Sequence, residues 1–481
     1  MKYFFLTAWC LFVVFAASSL NATAMQSNDN YNIVVISDIH LLSPSLYDNG
    51  KAARQLDAGD MKLVLNSDLI MQRMVDDIIA EKPQLLLISG DLTFNGERAS
   101  HERLAWHLQR LEQVGVRTLV IPGNHDVMCP YSKYYKGDDP TAVAHVTSEE
   151  FAAIYSHFGY GKESHRDPSS LSYTCEPLPG LVLLCIDSNI YAHSDDTEMT
   201  YHTNGAVKPE TIEWIKRQLA EAQRGGKRVV AMMHHHLVEH IDGEARWLPN
   251  YIVANHDELA QVLRDDGVRV IFTGHLHITD AATIDGITDV ATGSASTYPL
   301  PVRRAIIDAS LSTMTIDTRF FEGIDEKSLD KGRAKIENST SALASLVSRR
   351  LWPRMQSVLG QYEPLLAEQG IDTSRLPRDA KDVARLIGKH LREPLTQSLL
   401  AVSRGGEDPA QAPAIVEAVK QGLRQMMTEI FGDGGESVAD FLLTNLMPRL
   451  EPTLRSALLD INQVGSDTQS STHDHRLMIK L

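Results

Sequence analysis

Apolar and polar positions divide the first two thirds of the chain into short and long segments. Six short runs are apolar almost throughout, which is typical of strands buried on both faces of a sheet. These runs lie at 32–37, 85–89, 118–121, 181–187, 228–233 and 268–273. Longer segments at 67–81, 99–114, 209–223 and 256–266 have the apolar spacing of helices that bury one face. With a strand-rich stretch at about 283–316, the pattern predicts an α/β domain over residues 30–320.

After Phe321 the strand-like runs end, and apolar residues recur at helical spacing from Leu343 to Leu459. Glycine pairs at 405–406 and 434–435 interrupt these stretches. The pattern predicts a small all-α domain over residues 323–462. A self-packed bundle is the favoured arrangement, with a partner-binding or membrane-lying face as the alternative. The polar segment that follows predicts a flexible tail over residues 463–481.

The first 24 residues differ from the rest. Lys2 precedes an apolar stretch, and Ala22-Thr23-Ala24 offers a small-residue cleavage site. This pattern predicts a signal peptide over residues 1–24 and an exported protein, which would be periplasmic, at the cell surface or secreted. An uncleaved N-terminal anchor is the alternative. Because no later segment is comparably long and apolar, we expect no stable membrane span after cleavage.

Charge and cysteine content narrow the setting further. The chain has 46 basic and 62 acidic residues and a formal net charge of −16. Such an acidic protein repels the phosphate backbone, which argues against binding long nucleic acid. Beyond the signal segment lie Cys129, Cys175 and Cys185. Cys175 and Cys185 flank a turn, but an odd count and their apolar surroundings favour buried free thiols over a disulfide.

Polar motifs follow five of the predicted strands. They are Asp38-Ile39-His40, Gly90-Asp91, Gly123-Asn124-His125-Asp126, His234-His235-His236 and Gly274-His275-Leu276-His277. Loops at strand ends collect binding and catalytic groups, because a rigid scaffold holds them. Carboxylates, imidazoles and an amide are the donors that a pair of divalent cations needs. Each motif alone would be read as an ordinary turn, so the specific signal is the series of five.

This series resembles that of the calcineurin-like metallophosphoesterase family, which runs DxH, GD, GNH(D/E), H and GHxH. The resemblance implies a calcineurin-like four-layer α/β/β/α sandwich, here followed by the small all-α domain. It also implies two divalent metal ions, whose identity among iron, manganese and zinc the ligands do not decide. The implied ligands are Asp38, His40, Asp91 and His277 for one cation, and Asp91, Asn124, His234 and His275 for the other.

The resemblance assigns a different role to His125, which would protonate the leaving oxygen while a metal-bridging hydroxide attacks phosphorus. We expect Asp126 to accept a hydrogen bond from that imidazole, to orient it and to raise its pKa. His235 and His236 are candidates for supporting the ligands or contacting substrate, with plain structural roles as the alternative. Phe94 stands where purple acid phosphatases have a metal-binding tyrosine, which argues against a purple ferric site.

Residues 90–97, Gly-Asp-Leu-Thr-Phe-Asn-Gly-Glu, look like the GDLTxxGE pattern of the class III cyclic nucleotide phosphodiesterase-like branch. A helical appendage also occurs in that branch. The expected function is hydrolysis of small phosphodiesters, with cyclic nucleotides as the leading substrate class. One alternative is a phosphomonoesterase or nucleotidase of the same superfamily. Another is a catalytically silent scaffold, which the completeness of the ligand set disfavours.

Overall fold

The structure is a computed structural model that describes residues 30–191, 203–346, 367–368, 372–377, 379–405, 412–445 and 476–481. The described strands, β1 to β15, are Tyr31–Ile36, Leu85–Ile88, Arg117–Val120, Lys133–Tyr134, Thr141–Ala142, His165–Arg166, Tyr173–Leu178, Leu181–Ile186, Arg228–Met233, Val270–Thr273, Asp280–Ile284, Ile287–Ala291, Pro301–Ile307, Thr313–Phe320 and Arg476–Lys480. The described α-helices, α1 to α12, are Lys51–Gly59, Ser67–Glu81, Arg98–Glu112, Ser148–Ile154, Pro209–Arg224, Glu244–Trp247, His256–Asp265, Glu326–Leu346, Ala380–His390, Arg392–Val402, Ala412–Phe431 and Gly435–Asn445.

Two large mixed sheets form the α/β domain. The first has the strand order β15-β14-β13-β1-β2-β3, in which β1, β2 and β3 run parallel. The second has the order β11-β12-β10-β9-β8-β7-β6, in which β8, β9, β10 and β12 run parallel. A separate short hairpin joins β4 and β5. Each large sheet therefore brings the carboxyl ends of its central parallel strands to one edge.

The sheets pack face to face, and helices cover their outer faces. Along β9, Val230 and Met232 join the core shared with the first sheet, whereas Ala231 and Met233 pack with α5 and α7. This alternation follows from the two-residue period of a strand. Helices α2 and α3 cover the outer face of the first sheet, with side chains such as Leu104 in its core. The predicted four-layer α/β/β/α arrangement is confirmed.

The chain after Phe320 is largely helical where the structure describes it, from α8 to α12. Helix α8 contacts both α9 and α10, and α11 contacts α12. These helices bury an apolar cluster of their own that includes Leu386, Met427 and Phe431. The helical region is thus present as predicted, while its outer boundaries at 323 and 462 stay a prediction.

The C-terminal residues differ from the prediction. Residues 476–480 form β15, which pairs antiparallel with β14 at the edge of the first sheet. Leu477 and Ile479 pack against the main core, which compensates for the entropy of ordering the chain end. The prediction of a flexible tail is therefore wrong for these residues. The signal-peptide prediction falls on residues outside the described ranges.

Two further predictions concern cysteines and membrane spans. Cys129, Cys175 and Cys185 are buried free thiols, which confirms the preferred interpretation. Among the described helices, none has the length and apolar character required to cross a bilayer.

Candidate metal centre

The predicted ligands meet where the parallel strands of the two sheets end. Asp38 and His40 follow β1, Asp91 follows β2, Asn124 follows β3, His234 follows β9, and His275 and His277 follow β10. Backbone hydrogen bonds join the loops within each sheet, as from the Asp38 amide to the Gly90 carbonyl at 3.0 Å. The His275 amide donates to Asp38 Oδ2 across the sheets at 3.1 Å. The site is therefore built by both sheets together.

The loops hold most of the ligands in an unusual backbone conformation. Positive φ angles occur at Asp38, His40, Asp91, His275 and His277, with values between 45° and 70°. Residues other than glycine rarely adopt this region, and such strain persists where the surrounding structure imposes it. The strain lets Asp38, His40 and His277 converge on one point and His275 on a neighbouring one.

Two motif glycines allow the ligand loops to approach one another. A Cβ added at Gly90 would collide with the His234 ring, and one at Gly123 would collide with the Asp91 backbone and carboxylate. Gly90 also has a φ of +98°, which side chains disfavour. These contacts explain why glycine precedes Asp91 and Asn124.

The first ligand group contains Asp38, His40 and His277. His277 Nε2 lies 3.2 Å from Asp38 Oδ1 and 3.1 Å from His40 Nε2. His40 Nε2 is also 3.5 Å from Asp91 Oδ2. Asp38 and His40 are almost fully buried. These donor atoms converge as ligands of a single cation would.

The second group contains Asp91, His234 and His275, whose donor atoms all lie within 4.8 Å of one another. His234 Nε2 is 3.4 Å from Asp91 Oδ2 and 3.2 Å from Asn124 Oδ1. The same Asp91 oxygen thus faces His40 in one group and His234 in the other. This is the position required of a carboxylate that bridges two cations.

The hydrogen-bond pattern of two histidines leaves suitable lone pairs directed into the second group. His234 Nδ1 donates to the Ser89 carbonyl at 2.9 Å, which leaves Nε2 as the ligand atom. His275 Nε2 donates to the Asn250 carbonyl at 3.0 Å, which leaves Nδ1. Such bonds fix the tautomer of a metal-binding histidine.

Asp38 provides the clearest test of whether a cation fits. Its Oδ2 accepts hydrogen bonds from Ser37 Oγ and the His275 amide, at 2.6 and 3.1 Å. Its Oδ1 is buried without a hydrogen-bond donor and faces His277. A buried carboxylate oxygen without a donor is costly unless a cation compensates for it. The residues present therefore fit a metal centre.

His125 lies beside the ligands. The prediction that Asp126 accepts a hydrogen bond from its ring is wrong. Asp126 Oδ1 accepts from the Thr93 amide and hydroxyl, and Oδ2 accepts from the amides of Leu92 and Gly123, all at 2.8–2.9 Å. Three of these bonds join the β2 loop to the β3 loop, and the fourth, from Gly123, lies within the β3 loop. Together they occupy both carboxylate oxygens. Asp126 therefore organises the backbone of the site.

Asn95 has the orienting role that was predicted for Asp126. Its Oδ1 accepts from His125 Nδ1 at 2.9 Å, which leaves Nε2 to face the site. Burial lowers the pKa of His125, and the Asp91 charge opposes that shift. A neutral amide orients the ring without the extra charge of a carboxylate. His125 also lies close to His40 and Asp91, with donor atoms within 4.8 Å of one another.

The remaining histidines of the triplet have distinct surroundings. His235 Nδ1 is 2.8 Å from Ser188 Oγ, and its ring centroid is 4.4 Å from that of His275. It therefore supports a ligand. His236 instead pairs with buried Glu244 at 2.7 Å, which is a structural role.

The motifs did not predict every contributor to the site. Asn95 lies in the loop after Asp91, and its position within the glycine-bounded run 90–97 was the available signal. No sequence pattern could predict the contacts of the Ser89 and Asn250 carbonyls, because every residue has a backbone carbonyl. Phe94 packs with Tyr135 in a small apolar cluster and presents no metal-binding oxygen.

The sequence signature of the calcineurin-like phosphoesterases matches residues 31–279. The chain belongs to this family and is a hydrolase that acts on phosphoesters. A probable cyclic nucleotide phosphodiesterase of Rhodococcus erythropolis is 24% identical over 56% of this chain and 73% of its own length. A cAMP/cGMP dual specificity phosphodiesterase of Mycobacterium tuberculosis is 22% identical over 56% of this chain and 68% of its own length.

A glycerophosphodiester phosphodiesterase of Enterobacter lignolyticus is 25% identical over 44% of this chain and 61% of its own length. Among solved structures, a dimetal phosphatase from Danio rerio aligns with a TM-score of 0.44 and 15% identity, covering 62% of this chain and 98% of that one.

Proposed function

We propose that this protein is an exported phosphodiesterase that binds two divalent cations and hydrolyses small phosphodiesters, with cyclic nucleotides as the leading substrate class. The observation that carries the proposal is the double ligand group in which one Asp91 oxygen faces both His40 and His234. The similar proteins described above are named as phosphodiesterases, which supports a diester substrate. Export is supported by the sequence pattern of residues 1–24.

The chain's own residues have separate tasks in this proposal. Asp38, His40, Asp91 and His277 would hold one cation, and Asp91, Asn124, His234 and His275 the other. Bound cations of this kind lower the pKa of a coordinated water and neutralise charge on phosphate oxygens. His125, oriented by Asn95, would deliver a proton to the leaving oxygen.

A metal and substrate survey tests the proposal. Metal content of the purified protein is measured, followed by turnover of bis(p-nitrophenyl) phosphate, 3′,5′- and 2′,3′-cyclic nucleotides, glycerophosphodiesters and nucleoside monophosphates. We expect bound metal and a preference for diesters. Absence of both metal and turnover after addition of manganese, zinc or iron would contradict the enzyme proposal, and a preference for monoesters would contradict the diester assignment.

Substitution of His125 tests the acid role. His125→Asn should retain metal but lose about 10²–10⁴-fold in kcat for a poor leaving group such as a cyclic nucleotide. The loss should be smaller for bis(p-nitrophenyl) phosphate, because p-nitrophenolate leaves without a proton. His165→Asn, at an exposed position on β6, is the matched control. An equal loss for both substrates would contradict the role.

Export is tested by fractionation. In cells that produce the full chain, the protein should appear outside the cytoplasmic fraction. In cells that produce residues 25–481, it should stay in the cytoplasmic fraction. Equal retention of both forms would contradict export.

A further inference from the structure

Glu97 is a buried carboxyl group that belongs to neither ligand group. It is the last residue of the run 90–97, it directly precedes α3, and it is 0% exposed. Burial raises the pKa of Glu97 to about 7, against the opposing effect of the hydrogen bonds that it accepts. Burying a carboxyl group costs free energy unless hydrogen bonds satisfy it. The partners of Glu97 therefore indicate what it contributes.

The carboxyl group of Glu97 is bonded to the residue that orients His125. Its Oε2 accepts hydrogen bonds from the Asn95 backbone amide and from the Ser100 hydroxyl, both at 3.1 Å. Ser100 lies in the first turn of α3. Glu97 thus joins the backbone of Asn95 to the start of a helix, which gives Asn95 a rigid support.

A second buried side chain holds the other backbone group of Asn95. Ser132 directly precedes β4 and is 2% exposed, and its hydroxyl donates a hydrogen bond to the Asn95 carbonyl. The amide and the carbonyl of Asn95 are therefore both bonded to side chains, those of Glu97 and Ser132.

The turn that contains Asn95 lies directly against the backbone of His125. Gly96 has a φ of +72°, and a Cβ added there would lie 3.0 Å from the Asp126 carbonyl oxygen and 3.2 Å from that of His125. On the preceding residue, Asn95 Oδ1 accepts from His125 Nδ1 at 2.9 Å. A displacement of the Asn95 backbone would consequently move the acceptor that fixes the His125 ring.

We infer that Glu97 and Ser132 are positioning residues for proton delivery. They hold the backbone of Asn95, so that Asn95 Oδ1 keeps the His125 ring directed at the leaving oxygen. The inference rests on the proposed function, to which it adds two residues that act on His125 only through Asn95. Residues with a purely structural role would affect stability, and would change turnover of activated and unactivated esters alike.

The first test compares leaving groups. Glu97→Leu keeps the approximate volume and removes the acceptor, so kcat for the unactivated diester that wild type hydrolyses best should fall about 10-fold, with metal content and KM little changed. For bis(p-nitrophenyl) phosphate, kcat should stay within about 2-fold, because p-nitrophenolate leaves without a proton. An equal loss for both esters overturns the inference.

Two further variants complete this comparison. Glu97→Gln retains an oxygen that can accept both hydrogen bonds, and kcat for the unactivated diester should stay within about 3-fold of wild type. Glu102→Leu, at an exposed position on α3, is the matched control and should resemble wild type with both esters.

A double-mutant cycle tests whether Glu97 acts through Asn95. The combined variant Asn95→Leu/Glu97→Leu should have a kcat for the unactivated diester within about 3-fold of that of Asn95→Leu alone, because both changes disable the same contact to His125. If the two losses multiplied, Glu97 would act by another route and the inference would be overturned.

The outcomes separate this inference from the proposed function. If wild type hydrolyses neither ester, the proposed function fails and the inference fails with it. If wild type hydrolyses both and Glu97→Leu does the same with unchanged kcat, the inference alone fails. Should Glu97→Leu not fold, Ser132→Ala decides: a loss of about 3-fold in kcat for the unactivated diester only supports the inference, and unchanged kcat overturns it.

Discussion

Several residues of the candidate metal centre have an unfavourable backbone conformation that their neighbours hold in place. Asp38 and His40 keep positive φ angles because backbone bonds tie their loop to the loop of Asp91. Asp126 accepts three further bonds that fasten the β2 loop to the β3 loop, and a fourth within the β3 loop. The site is consequently shaped by residues that need not touch substrate.

Asn95→Leu tests the orientation of His125. The substitution keeps the approximate volume and removes the acceptor 2.9 Å from His125 Nδ1. We expect kcat for a cyclic nucleotide to fall about 10-fold or more with little change in KM, because proton delivery is impaired and substrate binding is not. Steady-state kinetics and metal analysis check this outcome.

Asn49→Leu is the control for this substitution, since Asn49 is exposed and outside the site. A rise in KM with unchanged kcat, or an equal loss for activated and unactivated esters, would show that Asn95 does not act through His125.

Among the elements, α2 and α3 are joined by a charged cluster. Asp68 accepts from Arg103 Nε at 2.6 Å and Nη2 at 3.0 Å, and from His107 Nε2 at 2.7 Å. Burial alone would raise the pKa of Asp68, but the bonds from His107 and Arg103 outweigh it and lower that pKa to about 2. The ionised carboxylate therefore stabilises the pairing of these two helices.

Asp68→Asn should lower the free energy of unfolding at pH 7 by about 2 kcal/mol. The folded pKa of Asp68 lies below its ordinary value of 3.8. The contribution is therefore complete above about pH 4 and is lost as the pH falls towards about 2. Urea unfolding at pH 7, 4 and 3 should show that the difference in free energy of unfolding between wild type and variant becomes smaller as the pH falls.

Asp77→Asn, on the exposed side of the same helix, should change stability little at any of these pH values. If the loss of unfolding free energy in Asp68→Asn stayed constant from pH 7 to pH 3, the lowered pKa of Asp68 would be contradicted.

The edge strand β15 gives a second prediction at this scale. Ile479 packs against the core, whereas its neighbour Met478 is 78% exposed on the opposite face. Ile479→Ala should lower the free energy of unfolding by about 1–2 kcal/mol, because it removes partly buried methyl groups. Met478→Ala is the matched control and should be near neutral. Equal effects of the two changes in chemical denaturation would contradict the observed register.

At the scale of the whole molecule, the candidate metal centre joins the two sheets. Asp38 and Asp91 come from the first sheet, and His234, His275 and His277 from the second. Bound cations should therefore stabilise the assembled domain, because they bind the folded state and not the separated strands.

Chelation should lower Tm by several degrees, and added manganese or zinc should restore it, since ligand at 100 times Kd contributes about 2.7 kcal/mol. Differential scanning calorimetry of wild type and Asp91→Asn checks this result. The variant should have a reduced metal-dependent shift in Tm, and a shift equal to that of wild type would contradict the proposed bridging role of Asp91.

Much of the fold could be predicted because its signals are local. The helix predicted at 67–81 is α2, Ser67–Glu81, and the strand predicted at 228–233 is β9, Arg228–Met233. The predicted ligands converge because parallel strands in one sheet end at the same edge. No sequence pattern predicted the strand at residues 476–480, because so short a segment with polar flanks forms a strand only when it pairs with the open edge of a sheet.

The sequence by itself determined the strand and helix pattern and the ligand types, because both depend on residue identity at short spacing. Only the tertiary structure decided which side chain orients His125, because Asn95 and Asp126 both lie in loops that bring them near it. It also decided that Lys335 contacts the Asp57–Asp60 segment, 275 positions away from Asp60 in the chain. Such contacts depend on how the sheets and helices pack, and spacing along the chain carries no record of that packing.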